Sequence, residues 1–341
     1  MAESPYLKSA SADTDVVHTA DATRKSLSRH KLNVITAFGL LYFFWGSTYI
    51  AIRIGVEHIP AALMTGIRFL IAGVLMLAWC VLTRKSITLN RSDALRLFLI
   101  GTLLLTGGNS VLVWSESYLP SGLAALIVAV VPLWVAIIDG PILGGDRLSS
   151  RGWGGLFLGF AGLAILLWPK LTSTSALDRK QLLAGSILML GSLSWAVGTV
   201  ISRRSQLSVG PFVATGWEMT FAGALNLVLG LLHGDHHHAD WAWSGLAAIA
   251  YLVTFGSLVG FTAFIWLLDH VPTAKVATYA YVNPVVAVVL GWLILHERLD
   301  RFMLAGMIVI VAAVALVTSA KLRSGGSQKV PSVAACEQTG D

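Results

Sequence analysis

Residues 65–73 read TGIRFLIAG, and 150 positions later residues 215–223 read TGWEMTFAG. Thr, Gly, Ala and Gly recur in place, and each stretch carries one ionisable residue at the same position, Arg68 in the first and Glu218 in the second. The likeness extends outward from there. At the same shift Trp45 meets Trp195 and Leu75 meets Leu225. At a shift of 152, Gly108, Trp114, Pro120, Ala125 and Pro132 meet Gly260, Trp266, Pro272, Ala277 and Pro284. At 151, Arg147, Leu148, Gly155, Ala161 and Ala164 meet Arg298, Leu299, Gly306, Ala312 and Ala315. The Trp, Pro, Thr and Arg matches carry the weight, because Gly and Ala recur by chance in a chain so rich in both.

Composition says what is repeated. Hydrophobic residues make up 55% of the 341, charged residues 12%, about half the share of a soluble domain, and the mean hydropathy is +0.73. Apolar runs long enough to cross a hydrocarbon core of about 30 Å fall at 34–52, 61–82, 97–115, 117–138, 152–169, 182–202, 210–232, 242–268, 276–295 and 302–320. They lack period-two alternation, and backbone groups in lipid need internal partners, so an all-α membrane protein of ten transmembrane helices is expected rather than a barrel. Each half of the repeat, 34–169 and 182–320, then holds five spans. An odd number sends the second copy into the membrane upside down, as in the inverted repeats of secondary transporters. Two such halves can exchange conformations so that a central cavity opens first to one side and then to the other.

Residues 1–33 and 321–341 are polar, the first Ser/Thr-rich and without a cleavable signal pattern, and both are expected to be disordered tails. The net charge of +6 comes with no basic soluble domain, so nucleic-acid binding is not indicated. Lys and Arg in the tails, with Arg84, Lys85, Arg91 and Arg96, place both termini in the cytoplasm of a multi-pass protein; Lys170, Arg179 and Lys180 fall outside, against the bias. Cys80 and Cys336, one in a helix and one in a tail, suggest neither a disulfide nor a metal site.

FWGSTYIAIRIGVE in the first span, GSLSWAVGTV at the matching place in the sixth, and ATYAYVNPVVAVVLGWLILHERL (277–299) through the ninth resemble the EamA family of the drug/metabolite transporter superfamily, and within it the YedA-type exporters of bacterial inner membranes. The resemblance runs from about residue 34 to 320. It implies a basket of ten helices, with the first four of each half around a central cavity and the fifth and tenth outside. It also implies efflux of amino acids, other small metabolites or drugs across the inner membrane.

Arg68 and Glu218 are the ionisable residues well inside spans, where a charge costs about 2.5–3.5 kcal/mol even on lenient scales, so both are expected to face the bundle interior. Counting about 1.5 Å per residue leaves on the order of 8 Å between their backbones along the membrane normal. One reading has Arg68 meet a substrate carboxylate and Glu218 an amine or a coupling proton; the other makes them a structural ion pair or network. Trp45, Ser47 and Trp195 offer aromatic and hydroxyl groups that either cup a solute or pack. Tyr279, Asn283 and Pro284 stand together in the ninth span, and Pro132 and Pro284 are candidate hinges, or static kinks. Asn109 in TGGNS needs a partner at mid-helix, while Glu116 and Asp139 lie at interfacial depth and are expected to be hydrated. The Gly155–Gly159 spacing packs helices within one chain or joins two, leaving monomer and homodimer open. HGDHHHAD (233–240) lacks helical ligand spacing and is read as a solvated loop rather than a metal site; no catalytic or nucleotide-binding motif is found, HERLD lacks the second histidine of a zincin, and no cofactor is expected. The function expected is a secondary exporter of a small-molecule substrate, with an importer or exchanger as the alternative and a non-transporting sensor or regulatory subunit behind it.

Overall fold

The computed structural model describes residues 6–119, 121–144, 147–172, 178–295, 300–320 and 322–323. The chain is a bundle of helices that cross back and forth. Nine are of membrane length and apolarity among the described residues, and a tenth, Leu126–Gly140, is apolar but shorter. In chain order, α1 is Tyr6–Val56, apolar from Arg29; α2 is Ala61–Leu82; α3 is Arg91–Ser115. The fourth crossing, α4, comes in pieces, Ser121–Val128, Val131–Ile137 and Ile138–Ile142. Next come α5 Ser150–Thr172, α6 Arg179–Arg204, α7 Pro211–His233 and α8 Trp243–His270. The ninth, α9, is Thr273–Val276 followed by Tyr279–Leu295, and α10 is Arg301–Ser319.

Several helix ends follow from local chemistry. Asn90 accepts from Asp93 N and caps α3, Asp178 and Gln181 form a capping box on α6, and Asp300 accepts from Phe302 N and Met303 N to start α10. Gly234, at φ +83°, ends α7 in the left-handed conformation that a side chain disfavours. The helix of α1 runs through residues 6–33, where the sequence reading expected a disordered tail; no Gly or Pro interrupts the chain between Tyr6 and Phe38. The fourth apolar run, expected at 117–138, begins helix only at Ser121 and breaks at Ala129–Val130, immediately before the helix segment that Pro132 opens. Pro284 lies inside a continuous helix, and the break in α9 is instead at Ala277–Thr278, so the two prolines match while the two breaks do not. Repeat positions Pro120, Arg298 and Leu299, the residues 296–299 of HERLD, and Cys336 lie outside the described residues.

Contacts between loops sort into two faces. Asn90 Nδ2 donates to Ser208 Oγ at 3.2 Å, Arg96 Nη1 to Gln206 O at 2.9 Å, and Arg147–Leu148 (β1) pairs antiparallel with Leu322–Arg323 (β2); these belong to what we term the proximal face. On the distal face His58 meets Asp240 at 3.0 Å and Ser244 at 2.8 Å. The alternation agrees with one crossing per helix. Exposed Trp79, Trp168, Trp241, Trp243 and Trp292 lie within about three turns of helix ends, as aromatic residues at membrane interfaces do.

The pseudo-twofold axis is visible in the crossing of α2 and α7. A Cβ added to Gly66 would lie 2.5 Å from Leu227 N; one added to Gly216, its repeat equivalent, would lie 2.8 Å from Leu77 Cδ2, and Leu77 is the repeat equivalent of Leu227. Gly73 against Thr220 and Gly223 against Leu70 form a second equivalent pair. Small residues thus bring two antiparallel helices into near-backbone contact, as close helix packing in lipid favours. The helices α5 and α10 pack on each other through Gly155, against Val317, and Gly306, against Leu166. Gly159 meets the Tyr281 ring, so the small face of α5 is spent within the chain.

Candidate functional site

A cavity lies among the inner helices. It is lined by Trp45, Thr48, Tyr49 and Ile52 of α1, Arg68 and Phe69 of α2, and Leu105, Gly108, Asn109 and Leu112 of α3. Val128 and Val131 of α4, Leu188, Gly191, Ser192 and Trp195 of α6, Gly256 and Phe261 of α8, and Tyr279 and Asn283 of α9 complete it. Its residues in α1, α3 and α6 run from mid-helix toward the distal ends.

An aromatic group floors the cavity on the proximal side. The Trp45 ring stands edge-on to Trp195 at 5.7 Å and to Tyr279 at 4.9 Å, and Phe264 lies 5.2 Å from Trp45, 5.8 Å from Trp195 and 5.8 Å from Tyr279. Trp45 Nε1 donates to Gly256 O at 2.9 Å. Glycines admit both indoles: a Cβ on Gly260 would lie 2.5 Å from Trp45 Cδ1, and one on Gly108 2.7 Å from Trp195 Cε3. Trp45 and Trp195, and Gly108 and Gly260, are two repeat pairs, so each tryptophan rests on the helix of the opposite half.

Arg68 is 3% exposed. Its Nε donates to Ser257 Oγ at 2.9 Å, its Nη2 lies beside Gly256, and its Nη1 has no hydrogen-bond partner among the described residues. A guanidinium desolvated in this way, with a donor to spare, matches a carboxylate well. Asn109 and Asn283 also line the cavity, each with a buried Oδ1 that lacks a partner among the described residues. Unsatisfied amide oxygens are costly in an apolar bundle unless a solute or water completes them.

Two of the residues singled out in the sequence are placed elsewhere. Ser47 donates to Phe44 O at 2.8 Å and shares a hydrogen bond of 2.6 Å with the Tyr251 hydroxyl, linking α1 to α8 outside the lining. Glu218 is 2% exposed with an unpartnered Oε2, but α7 contributes nothing to this cavity. The α2–α7 contacts explain why. They run antiparallel, Gly66 beside Leu227 and Leu70 beside Gly223, which puts Leu75 at the level of Glu218. Seven residues, about 10 Å of helix rise, separate that level from Arg68. No ion pair joins Arg68 and Glu218 among the described residues.

Other polar residues differ from the sequence expectation. Asp139, expected to be hydrated, is 9% exposed: Arg204 Nη2 lies 2.8 Å and Nε 3.1 Å from its Oδ1, and Thr273 Oγ1 donates to its Oδ2 at 2.5 Å. This ties α4, α6 and the start of α9 together on the proximal face, where Arg203 also donates to Val271 O at 2.7 Å. Glu116, likewise expected to be hydrated, is 1% exposed. In the histidine-rich loop His233 Nδ1 meets Asp235 Oδ1 at 2.8 Å, and no group of three potential metal ligands converges among the described residues. Sequence reasoning missed Ser257, which orients Arg68, and Phe264, the centre of the floor. A serine in an apolar run, LVTFGSLVGF, was the available signal for the first; nothing in the sequence marks the second.

Residues 33–168 and 182–319 each match the EamA-like transporter family. The chain belongs to that family. It is 39% identical over 295 residues to a protein of Escherichia coli K12 named "Uncharacterized inner membrane transporter YedA", covering 86% of this chain and 93% of that one. "Uncharacterized transporter YvbV" of Bacillus subtilis is 26% identical over 297 residues, covering 86% and 94%. A protein of known crystal structure superposes with a TM-score of 0.70 at 19% identity, over 85% of this chain and 96% of its own, which shows a shared fold. The two EamA units are this chain's two inverted five-helix repeats around a central cavity.

Proposed function

We propose that this chain is a secondary transporter of the bacterial inner membrane that exports small carboxylate-bearing metabolites, amino acids or their relatives first, by alternating access, with its proximal face and both termini in the cytoplasm. The observation that carries the reading is Arg68: a buried guanidinium in the wall of a central cavity, held by Ser257 and left with an unpartnered Nη1. Asn109 and Asn283 supply acceptors for an ammonium or hydroxyl, and Trp45, Trp195 and Tyr279 the apolar enclosure typical of small-molecule sites.

The present cavity belongs to one state. The Asp139–Arg204–Thr273 cluster and the aromatic floor close the proximal side. Exchange of conformations between the halves closes the distal side and brings Glu218, the repeat counterpart of Arg68, to a cavity open proximally. Pro132 and Pro284, beside or within the interrupted fourth and ninth helices, serve as hinges in that exchange. Protons are the coupling ion in this reading.

The test is an untargeted comparison of culture medium and cell contents with the protein induced, absent or carrying Arg68→Gln. A carboxylated solute that accumulates outside only with the intact protein supports export through Arg68. Depletion of the solute from the medium instead favours the importer or exchanger. Identical profiles in all three cultures overturn the transport reading, and a sensor is then tested by binding without flux.

A further inference from the structure

Glu116 follows the last residue of the membrane-length part of α3, at the distal end of the bundle. It is 1% exposed, and neither carboxylate oxygen has a hydrogen-bond partner among the described residues. A buried carboxylate without donors is tolerated as the neutral acid or beside a cation, not as a lone anion. Among the described residues one cation is close. Arg53 of α1 pairs with Glu57 one turn on, at 3.3 Å with both side chains more than half exposed, while its Nη1 lies 3.4 Å from the backbone oxygen of Glu116. The guanidinium thus rests against the Glu116 peptide with its ion pair made elsewhere. Tyr49, which lines the cavity, is the other titratable neighbour on α1. From α2, the Ser110–Thr65 hydrogen bond of 2.9 Å sets Arg68 about 13 Å of helix rise proximal to Glu116, and Asp178, Arg179 and Lys180 at the distal end of α6 are exposed.

We propose that Glu116 is a proton-binding site at the distal mouth of the cavity: it carries a proton while Arg53 is paired with Glu57, and releases it to distal water when Arg53 turns to it. In the exchange Glu116, Arg53 and Glu57 go from neutral together to singly negative, with the proton as the only species lost. The movement of Arg53 rests on the alternating-access reading; the proton site does not, since it is a property of this one conformation.

Infrared difference spectra of the purified protein in lipid, recorded between about pH 5 and pH 9 with no solute added, test both parts. The expected result is a protonated-carboxyl C=O band that fades as pH rises and is missing in Glu116→Gln. Glu116→Asp, which keeps the acid, retains the band at a shifted frequency and guards against a misfolded amide variant. Arg53→Gln, which removes the competing cation, is expected to move the midpoint of the band upward by about one pH unit or more. Superimposable spectra for the parent and Glu116→Gln overturn the site; an unmoved midpoint in Arg53→Gln overturns the exchange. Because no solute is present, these outcomes are independent of whether the culture comparison finds a transported compound.

Discussion

Gly66→Ala and Gly216→Ala alter repeat-equivalent positions, yet the structure gives them different costs. A Cβ at Gly66 falls 2.5 Å from Leu227 N and 2.7 Å from Leu227 Cα, where ordinary contact begins at 3.4 Å, so α2 and α7 have to separate by roughly 0.7–0.9 Å. Both obstructing atoms are helix backbone, and no rotamer relieves them. A gap of that size forfeits about a quarter to a half of the dispersion attraction between the packed atoms, and overpacking of this kind costs about 1–3 kcal/mol. Alanine recovers about 0.8–1 kcal/mol of helix propensity, leaving a net loss of up to about 2 kcal/mol. At Gly216 the new methyl meets Leu77 Cδ2 at 2.8 Å and Cγ at 2.9 Å, the outer atoms of a side chain. A rotamer shift of about 0.5–1.5 kcal/mol absorbs it and the propensity gain cancels most of that. Unfolding by SDS titration in mixed micelles, followed by tryptophan fluorescence, reads the difference. Gly39→Ala, with nothing within 4 Å, serves as the neutral control. Equal losses at the two sites, or a larger one at Gly216, refute the assignment of the α2–α7 crossing.

Asp139→Asn removes the charge that Arg204 and Thr273 share, a loss of about 1–2 kcal/mol to the closed proximal face, or about 5–30-fold in its population. Maleimide labelling of Ala277→Cys from that face is expected to speed up accordingly, and an unchanged rate argues that the cluster is not a latch. Gly260→Ala and Gly108→Ala are expected to displace Trp45 and Trp195, shifting the tryptophan emission and lowering transport at least about tenfold, whereas Gly154→Ala, in open space, leaves both as they are. Normal transport in Gly260→Ala with shifted emission refutes the floor's role in the cycle.

Helices and their inverted duplication were legible in the sequence because both are written in long-range patterns, apolar length for the spans and a shift near 150 for the repeat. Interruptions of helix were not. The apolar run of the fourth crossing continues through Ala129–Val130, so hydropathy has no means of marking the break there, although Pro132 lay just beyond it. For the site, sequence places residues in depth but not around the helix axis. Arg68, Trp45, Trp195, Asn109, Tyr279 and Asn283 meet at one cavity, whereas Ser47 turns toward Tyr251 and Glu218 lies about 10 Å off level. Glu116 and Asp139 show a related limit: a residue near a helix end is hydrated only if no neighbour covers it, and here α1 and α6 do.

Within α3 and α8, Thr102–Ser110 and Leu252–Phe261 are wound as π-helix, and under the shift of 152 the two stretches overlap. A π segment accommodates one residue surplus to the α-helical count. Both halves carry the surplus in the stretch that holds the glycine on which a tryptophan of the other half rests. Neither five-helix half therefore completes its own cavity floor, since each tryptophan is seated on a glycine that only the other half supplies.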